Sequence, residues 1–147
     1  MKYIHYGFPR FVPRLFQPIR NVKGRTKPSG GLWAARADRY GWLEFCLDRD
    51  FPPERTATSF SFTLRPGANV LHLSAPEDLE GLPRFDTRQP LRLRGYPWPP
   101  LDFEELRRRG VDAIEVEIKD LRQHLPTWDC DSLLVLNPDV IVVEGVN

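Results

Sequence analysis

Fifteen prolines among 147 residues set the length of every element this chain can form. Proline has no amide N–H and a fixed φ, so it stops helices and stays out of central strands. The prolines fall mostly in connections, as in Phe51-Pro52-Pro53 and Tyr96-Pro97-Trp98-Pro99-Pro100. The chain is therefore expected to fold from short strands and short helices. It has no internal repeat and no low-complexity tract, and no apolar run long enough to cross a membrane. With 41% hydrophobic and 28% charged residues it has a globular balance. Its length fits one domain, residues 1–147. The opening MKYIHYGFPRF lacks the continuous apolar core of a secretory signal, so a cytoplasmic location without a membrane partner is expected.

Periodicity places the elements. Lys2–Tyr6 is expected as a first strand ending at Gly7, followed by an irregular, basic, proline-punctuated loop over residues 8–29. A loop that long in a compact domain is often functional. Gly31–Ala35 is expected as a second strand and Tyr40–Arg49 as a helix, with Trp42, Phe45, Cys46 and Arg49 on one face. Thr58–Leu64 alternates, placing Phe60, Phe62 and Leu64 together, and Asn69–Leu73 follows as a short strand after the Arg65-Pro66-Gly67 turn. Ala75-Pro76-Glu77-Asp78-Leu79 has the residues of a helix start. Asp102 caps a helix to Arg109 that Gly110 stops. Val111–Val116, Asp131–Leu136 and Val140–Val143 complete the strands. The sum is an α+β fold of about seven strands with two or three helices.

Charge is uneven. Residues 1–40 carry nine Lys or Arg against one acid, whereas residues 101–147 carry five against eleven. A basic N-terminal third either neutralises the acidic C-terminal third within the fold or meets a phosphate-rich partner, a nucleotide or a nucleic acid. Cys46 and Cys130 lie outside any metal-ligand spacing and are expected as buried thiols. His5, His72 and His124 form no short metal motif, so no metal site is expected. Nucleophile-elbow, phosphate-loop and zinc-protease motifs are missing, and Cys46 with a remote histidine is too little for a thiol hydrolase. Gly30-Gly31 before Leu32-Trp33 marks a place where the backbone takes an unusual conformation, or where a strand or a ligand approaches closely.

Taken in order, these pieces resemble the ADP-ribosyltransferase superfamily, the fold of diphtheria-type toxins and poly(ADP-ribose) polymerases, over nearly the whole chain. Tyr3-Ile4-His5-Tyr6-Gly7 is similar to the family's opening strand. Gly30-Gly31-Leu32-Trp33-Ala34-Ala35 is similar to its second strand, with Trp33 where the family usually has tyrosine. "FSFTLRPGANVLHL" resembles the middle strands, and "LRRRGVDAIEVE" with "DCDSLLVLNPDVIVVE" resembles the late pattern.

The resemblance implies a split-sheet core and a small stand-alone bacterial or phage-type member, a toxin or a defence or conflict protein. It also implies NAD as substrate. His5 would bond a ribose hydroxyl, the Gly7 backbone would hold the carboxamide, and Trp33 would stack on the nicotinamide. Gly30 and Gly31 would let the backbone lie close to the ligand, and Arg25 or Lys27 would touch phosphate. The family's acid-led strand begins with a catalytic glutamate; here that position falls on Ser132, with Asp131 one residue away and on the opposite face unless the strand bulges. Asp129 shares the parity of Asp131, and Glu144 on the last strand matches poorly.

Two functions follow: mono-ADP-ribosyl transfer to a protein or nucleic acid (or NAD glycohydrolysis), or a non-catalytic nucleotide- or nucleic-acid-binding module on the same fold. The loop cations Arg10, Arg14, Arg20, Lys23, Arg25 and Lys27 would hold a diphosphate. Alternatively, with Phe8, Phe11 and Phe16 between them, they would track a nucleic-acid strand, or they are simply solvated. Tyr96, Trp98 and Trp128 are expected as loop-packing residues.

Overall fold

The computed structural model describes residues 1–85 and 99–143. Among these residues seven strands form one mixed sheet: β1 (Tyr3–Tyr6), β2 (Leu32–Arg36), β3 (Ser59–Leu64), β4 (Val70–Leu73), β5 (Ala113–Val116), β6 (Ser132–Val135) and β7 (Ile141–Val143), in the order β4-β5-β6-β2-β1-β3-β7. Only β4 and β5 run parallel; the other neighbours are antiparallel. Two α-helices accompany them, α1 (Trp42–Asp48) and α2 (Phe103–Arg108). The expected α+β architecture holds; most elements are a residue or two shorter than expected, the helix from Tyr40 is three shorter, and the second strand is shifted by one residue to Leu32–Arg36. The helix start at Ala75 yields only a 3-10 turn, Pro76–Leu79. Tyr96, Trp98 and Glu144 lie outside the described residues. Among the described residues no helix is long and apolar enough to cross a membrane.

Strand alternation divides the apolar side chains between two cores. Through the register, Tyr3, Phe60, Phe62, Ala34, Leu133, Val135 and Ala113 share one face and form one buried cluster. Leu73, Ile114, Val116 and Leu134 share the other, under α2 and the Ile118–Trp128 turns. On the first face Tyr3 Oη donates to Glu115 at 2.5 Å, reaching from β1 to β5 past two intervening strands. On a flat sheet that span is about 14 Å, so the sheet curls around this core. Arg36 and His72 also face Glu115, at 3.9 and 3.4 Å.

Helix α2 begins where expected: Asp102 accepts from the Glu105 N–H, and Gly110, at φ +91°, follows the last turn. The same N-terminus holds the basic loop. Asn21 Nδ2 donates to Asp102 and Asn21 Oδ1 accepts from the Phe103 N–H. Buried Ile19, the Arg20–Ser29 bridge and a hydroxyl pair between Thr26 and Thr127 complete its anchorage.

Gly30 and Gly31 serve this anchorage. Both have positive φ, +73° and +69°; a Cβ on Gly30 would lie 2.1 Å from the Pro18 carbonyl oxygen, and one on Gly31 would lie 2.8 Å from Leu134 Cδ1 and 3.0 Å from the Val135 oxygen. The Gly31 N–H donates to Gln17 at 2.8 Å. The close approach is by the chain's own backbone: the glycines seat the loop and let β2 follow β6. Gly30→Ala should therefore lower stability in urea unfolding by about 1–3 kcal/mol. Gly67→Ala, with a similar φ of +83° and open space around it, should cost clearly less. Equal losses would show that the seat on Pro18 contributes nothing.

Candidate active site at the strand fork

The site is made by a ladder that stops early. The Ala37 N–H donates to the Lys2 carbonyl, and the register continues through Tyr3↔Arg36 and Ile4↔Ala35. Antiparallel alternation makes Tyr6 and Trp33 the next bonded pair, but the ladder ends before it. The Trp33 carbonyl instead accepts from His5 Nδ1 at 2.6 Å. Meanwhile β1 stays paired with β3 as far as Tyr6↔Ser59, and the Gly7 N–H donates to the Thr58 carbonyl at 2.9 Å. The strands β1 and β2 thus part like a fork, with the His5 ring across the gap.

A carbonyl only accepts, so the Trp33 bond requires the proton on Nδ1 and leaves Nε2 as an acceptor. Burial holds the His5 pKa below its ordinary value, against the opposing pull of the Trp33 carbonyl. The ring is therefore neutral at neutral pH. Gly7, at φ +119°, places no side chain beside Nε2; a Cβ there would meet it at 4.0 Å, in van der Waals contact. The Gly7 N–H is taken by β3, so the strand edge turned toward β2 is that of Tyr6.

A cleft of about 220 Å³ opens at the fork. It brings together His5, Tyr6, Lys27, Trp33, Asp129 and Ser132, with Ala35, Trp42 and Cys130 completing its wall. Trp33 packs edge-on against buried Trp128, ring centroids 4.8 Å apart, and Trp128 stacks on Phe103. Trp128 is thus a core residue that fixes the Trp33 ring. Lys27 Nζ sits 5.4 Å from the centre of the Trp33 ring and 3.8 Å from Asp129 Oδ2. The cleft rim therefore holds a cation already placed on an aromatic face.

The register across β6 places Ser132 opposite Ala35, on the Trp33 face. Its hydroxyl donates to the Cys130 carbonyl at 2.9 Å. Asp131 is turned away: its Oδ1 accepts from the Ile118 N–H at 2.8 Å, tying the strand start to the end of β5. No bulge returns it to the cleft. The carboxylate that does line the cleft is Asp129, in the turn before the strand. Burial raises the pKa of the Cys130 thiol, which suits a wall residue better than a nucleophile. Arg25 lies outside this cleft, and Gly30 and Gly31 face a second one on the other side of His5. Among the described residues no group of His, Cys, Asp and Glu is arranged to hold a metal.

Asp129 and Tyr6 were not legible as cleft residues. The Lys27–Asp129 contact joins positions about a hundred residues apart in the chain, and Tyr6 contributes through its main chain, which carries no sequence signature.

Because the folded state favours neutral His5, the unfolded chain binds more protons between the folded pKa and the ordinary value of about 6.5. Stability should therefore be fully present near pH 7.5 and should fall as pH drops through about 6.5 toward the folded pKa. Urea titrations of wild type and His5→Gln at about pH 7.5 and pH 5 should show the larger acid loss in wild type. The same loss in both proteins would rule out His5 as the source.

No family model matches this chain, and no curated protein or solved structure matches it. The functional reading rests on the geometry of the fork.

Proposed function

We propose that the fork binds the nicotinamide end of NAD and that the chain transfers ADP-ribose from it. The observation that carries the reading is the His5–Trp33 bond. It leaves Nε2 as an acceptor on a ring that lines a cleft walled by an indole, the pairing a ribose hydroxyl and a flat cationic ring require. The unzipped Tyr6 edge supplies the main-chain donor and acceptor that a carboxamide demands. Lys27 already occupies the Trp33 face as a cation. A nicotinamide ring would take that place, and the freed ammonium would swing to the diphosphate.

In the transfer, the bond between the ribose C1′ and the nicotinamide nitrogen breaks, and its electron pair leaves with the nicotinamide. The acceptor's nucleophile then bonds to C1′ and loses its proton to solvent. Positive charge builds on the ribose as nicotinamide departs, and a nearby fixed carboxylate stabilises it. We assign that role to Asp129, released from Lys27 when the diphosphate binds. Asp131 is given a structural role on the Ile118 N–H, and Ser132 a hydrogen bond to the ribose.

A second reading has its own support. The strand-start position facing the cleft is Ser132, which carries no charge, and Asp129 is paired with Lys27. That arrangement suits a module that binds NAD or a related nucleotide without transfer.

The test is turnover of labelled NAD, read as nicotinamide release and label transfer to added protein or nucleic acid. Release without transfer would mark a glycohydrolase. Asp129→Asn should lower the rate about a hundredfold, equivalent to about 3 kcal/mol. Asp131→Ala should instead lower stability by about 1 kcal/mol with little change in rate per folded molecule. The reverse pattern overturns the assignment of the acid. If NAD quenches the tryptophan fluorescence of wild type but not of His5→Ala, and no nicotinamide is released, the binding module is the correct reading.

A further inference from the structure

His5 is a wall between two clefts. Beyond it lies a second cleft of about 290 Å³, on the face of the sheet away from Ser132. Its lining is aromatic, with Phe8, Phe11, Phe16 and Phe60, and includes one cation, Arg10. Phe8 is half exposed, at 53%, and lies nearly parallel to the His5 ring, 15° between planes. With the two ring centres 6.1 Å apart, Phe8 is an exposed ring beside the cleft whose face is open to a stacking partner.

The charge around it is unanswered. Lys27, Arg36 and Arg39 pair with carboxylates. Arg10, Arg14, Arg20, Lys23 and Arg25 are exposed and make no ion pair among the described residues. No acid occurs in residues 1–37. The loop that carries these five cations is pinned at Gln17, Asn21 and Thr26, and Arg10 among them lines the cleft.

We propose that this second cleft binds an unstacked base of a single-stranded nucleic acid, with the loop cations on its phosphates. Stacking on a phenylalanine face and neutralisation by arginine are the two interactions such strands use. A duplex keeps its bases stacked and cannot supply one. Binding here stands on this cleft's own lining.

The experiment is fluorescence anisotropy of the full chain with fluorescein-labelled single strands of about 16 nucleotides, DNA and RNA, beside the matching duplex and polyglutamate. Single strands should bind more tightly than the duplex, and polyglutamate should not compete. Phe8→Ala, a change at an exposed residue, should weaken single-strand binding about tenfold. Arg10→Ala and Arg14→Ala should each lower the slope of log affinity against log salt by about 0.7. Arg10→Glu with Arg14→Glu should abolish oligonucleotide binding while NAD-induced tryptophan quenching persists, so failure of this site and failure of the NAD site are told apart. Equal binding of duplex and single strand, no effect of Phe8→Ala, competition by polyglutamate, or no binding at low salt would each overturn the proposal.

Discussion

The hydrogen bond from His5 to the Trp33 carbonyl is the constraint on which the site depends. It does the work of the missing strand pair, satisfying a carbonyl that the fork would otherwise leave without its ladder partner. It also fixes three things at once: the histidine tautomer, the position of the ring across the gap, and the separation of two clefts. The fork is stable because each strand keeps its other neighbour, β1 with β3 and β2 with β6. A sheet interior normally has no such opening. Here the main-chain edge of β2 is completed piecewise, by Gln17 at Gly31, by the His5 ring at Trp33 and by β1 from Ala35 onward.

The curled sheet explains why this opening does not unravel. Phe60, Phe62, Leu133 and Val135 close one face, and the Tyr3–Glu115 bond ties β1 to β5 across it. On the other face Trp128, buried against Phe103, backs Trp33. Strand β1 is seated in the first core through Tyr3, and β2 in both, through Leu32 and Ala34 on one face and Trp33 on the other. The basic loop is bound to both α2 and β2, and it brings Lys27 to one cleft and Arg10 to the other.

Much of the fold was legible because it rests on local rules. The Phe60–Leu64 alternation, the Asp102 cap and the Gly110 stop all followed from side-chain chemistry and short-range spacing. Trp33 and Ser132 share a face by strand parity alone, given the pairing of β2 with β6. What sequence could not give was long-range. The glycine pair invited a ligand, yet the atoms that crowd it are Pro18 and Val135, brought there by a loop whose path no local signal encodes. The acid at the cleft was equally hidden. Asp131 begins the strand pattern, but its carboxylate is needed by an Ile118 N–H thirteen residues earlier, and Asp129 enters the cleft from a turn whose course depends on buried Leu125 and Trp128.

The Lys27–Asp129 pair links the geometry to the chemistry. At 3.8 Å between partly exposed groups it is a weak ion pair, easily exchanged for a stronger partner. A diphosphate is such a partner, because it carries more charge than one carboxylate. A ligand lacking that group would leave Lys27 on the Trp33 ring and Asp129 neutralised. A complete dinucleotide would move the cation away and uncover the carboxylate beside the ribose. On the proposed NAD reading the pair would act against partial ligands, and the negative charge would become available only when the diphosphate is bound. This makes the uncharged Ser132 compatible with transfer: the charge need not come from the strand if the turn before it supplies one on demand.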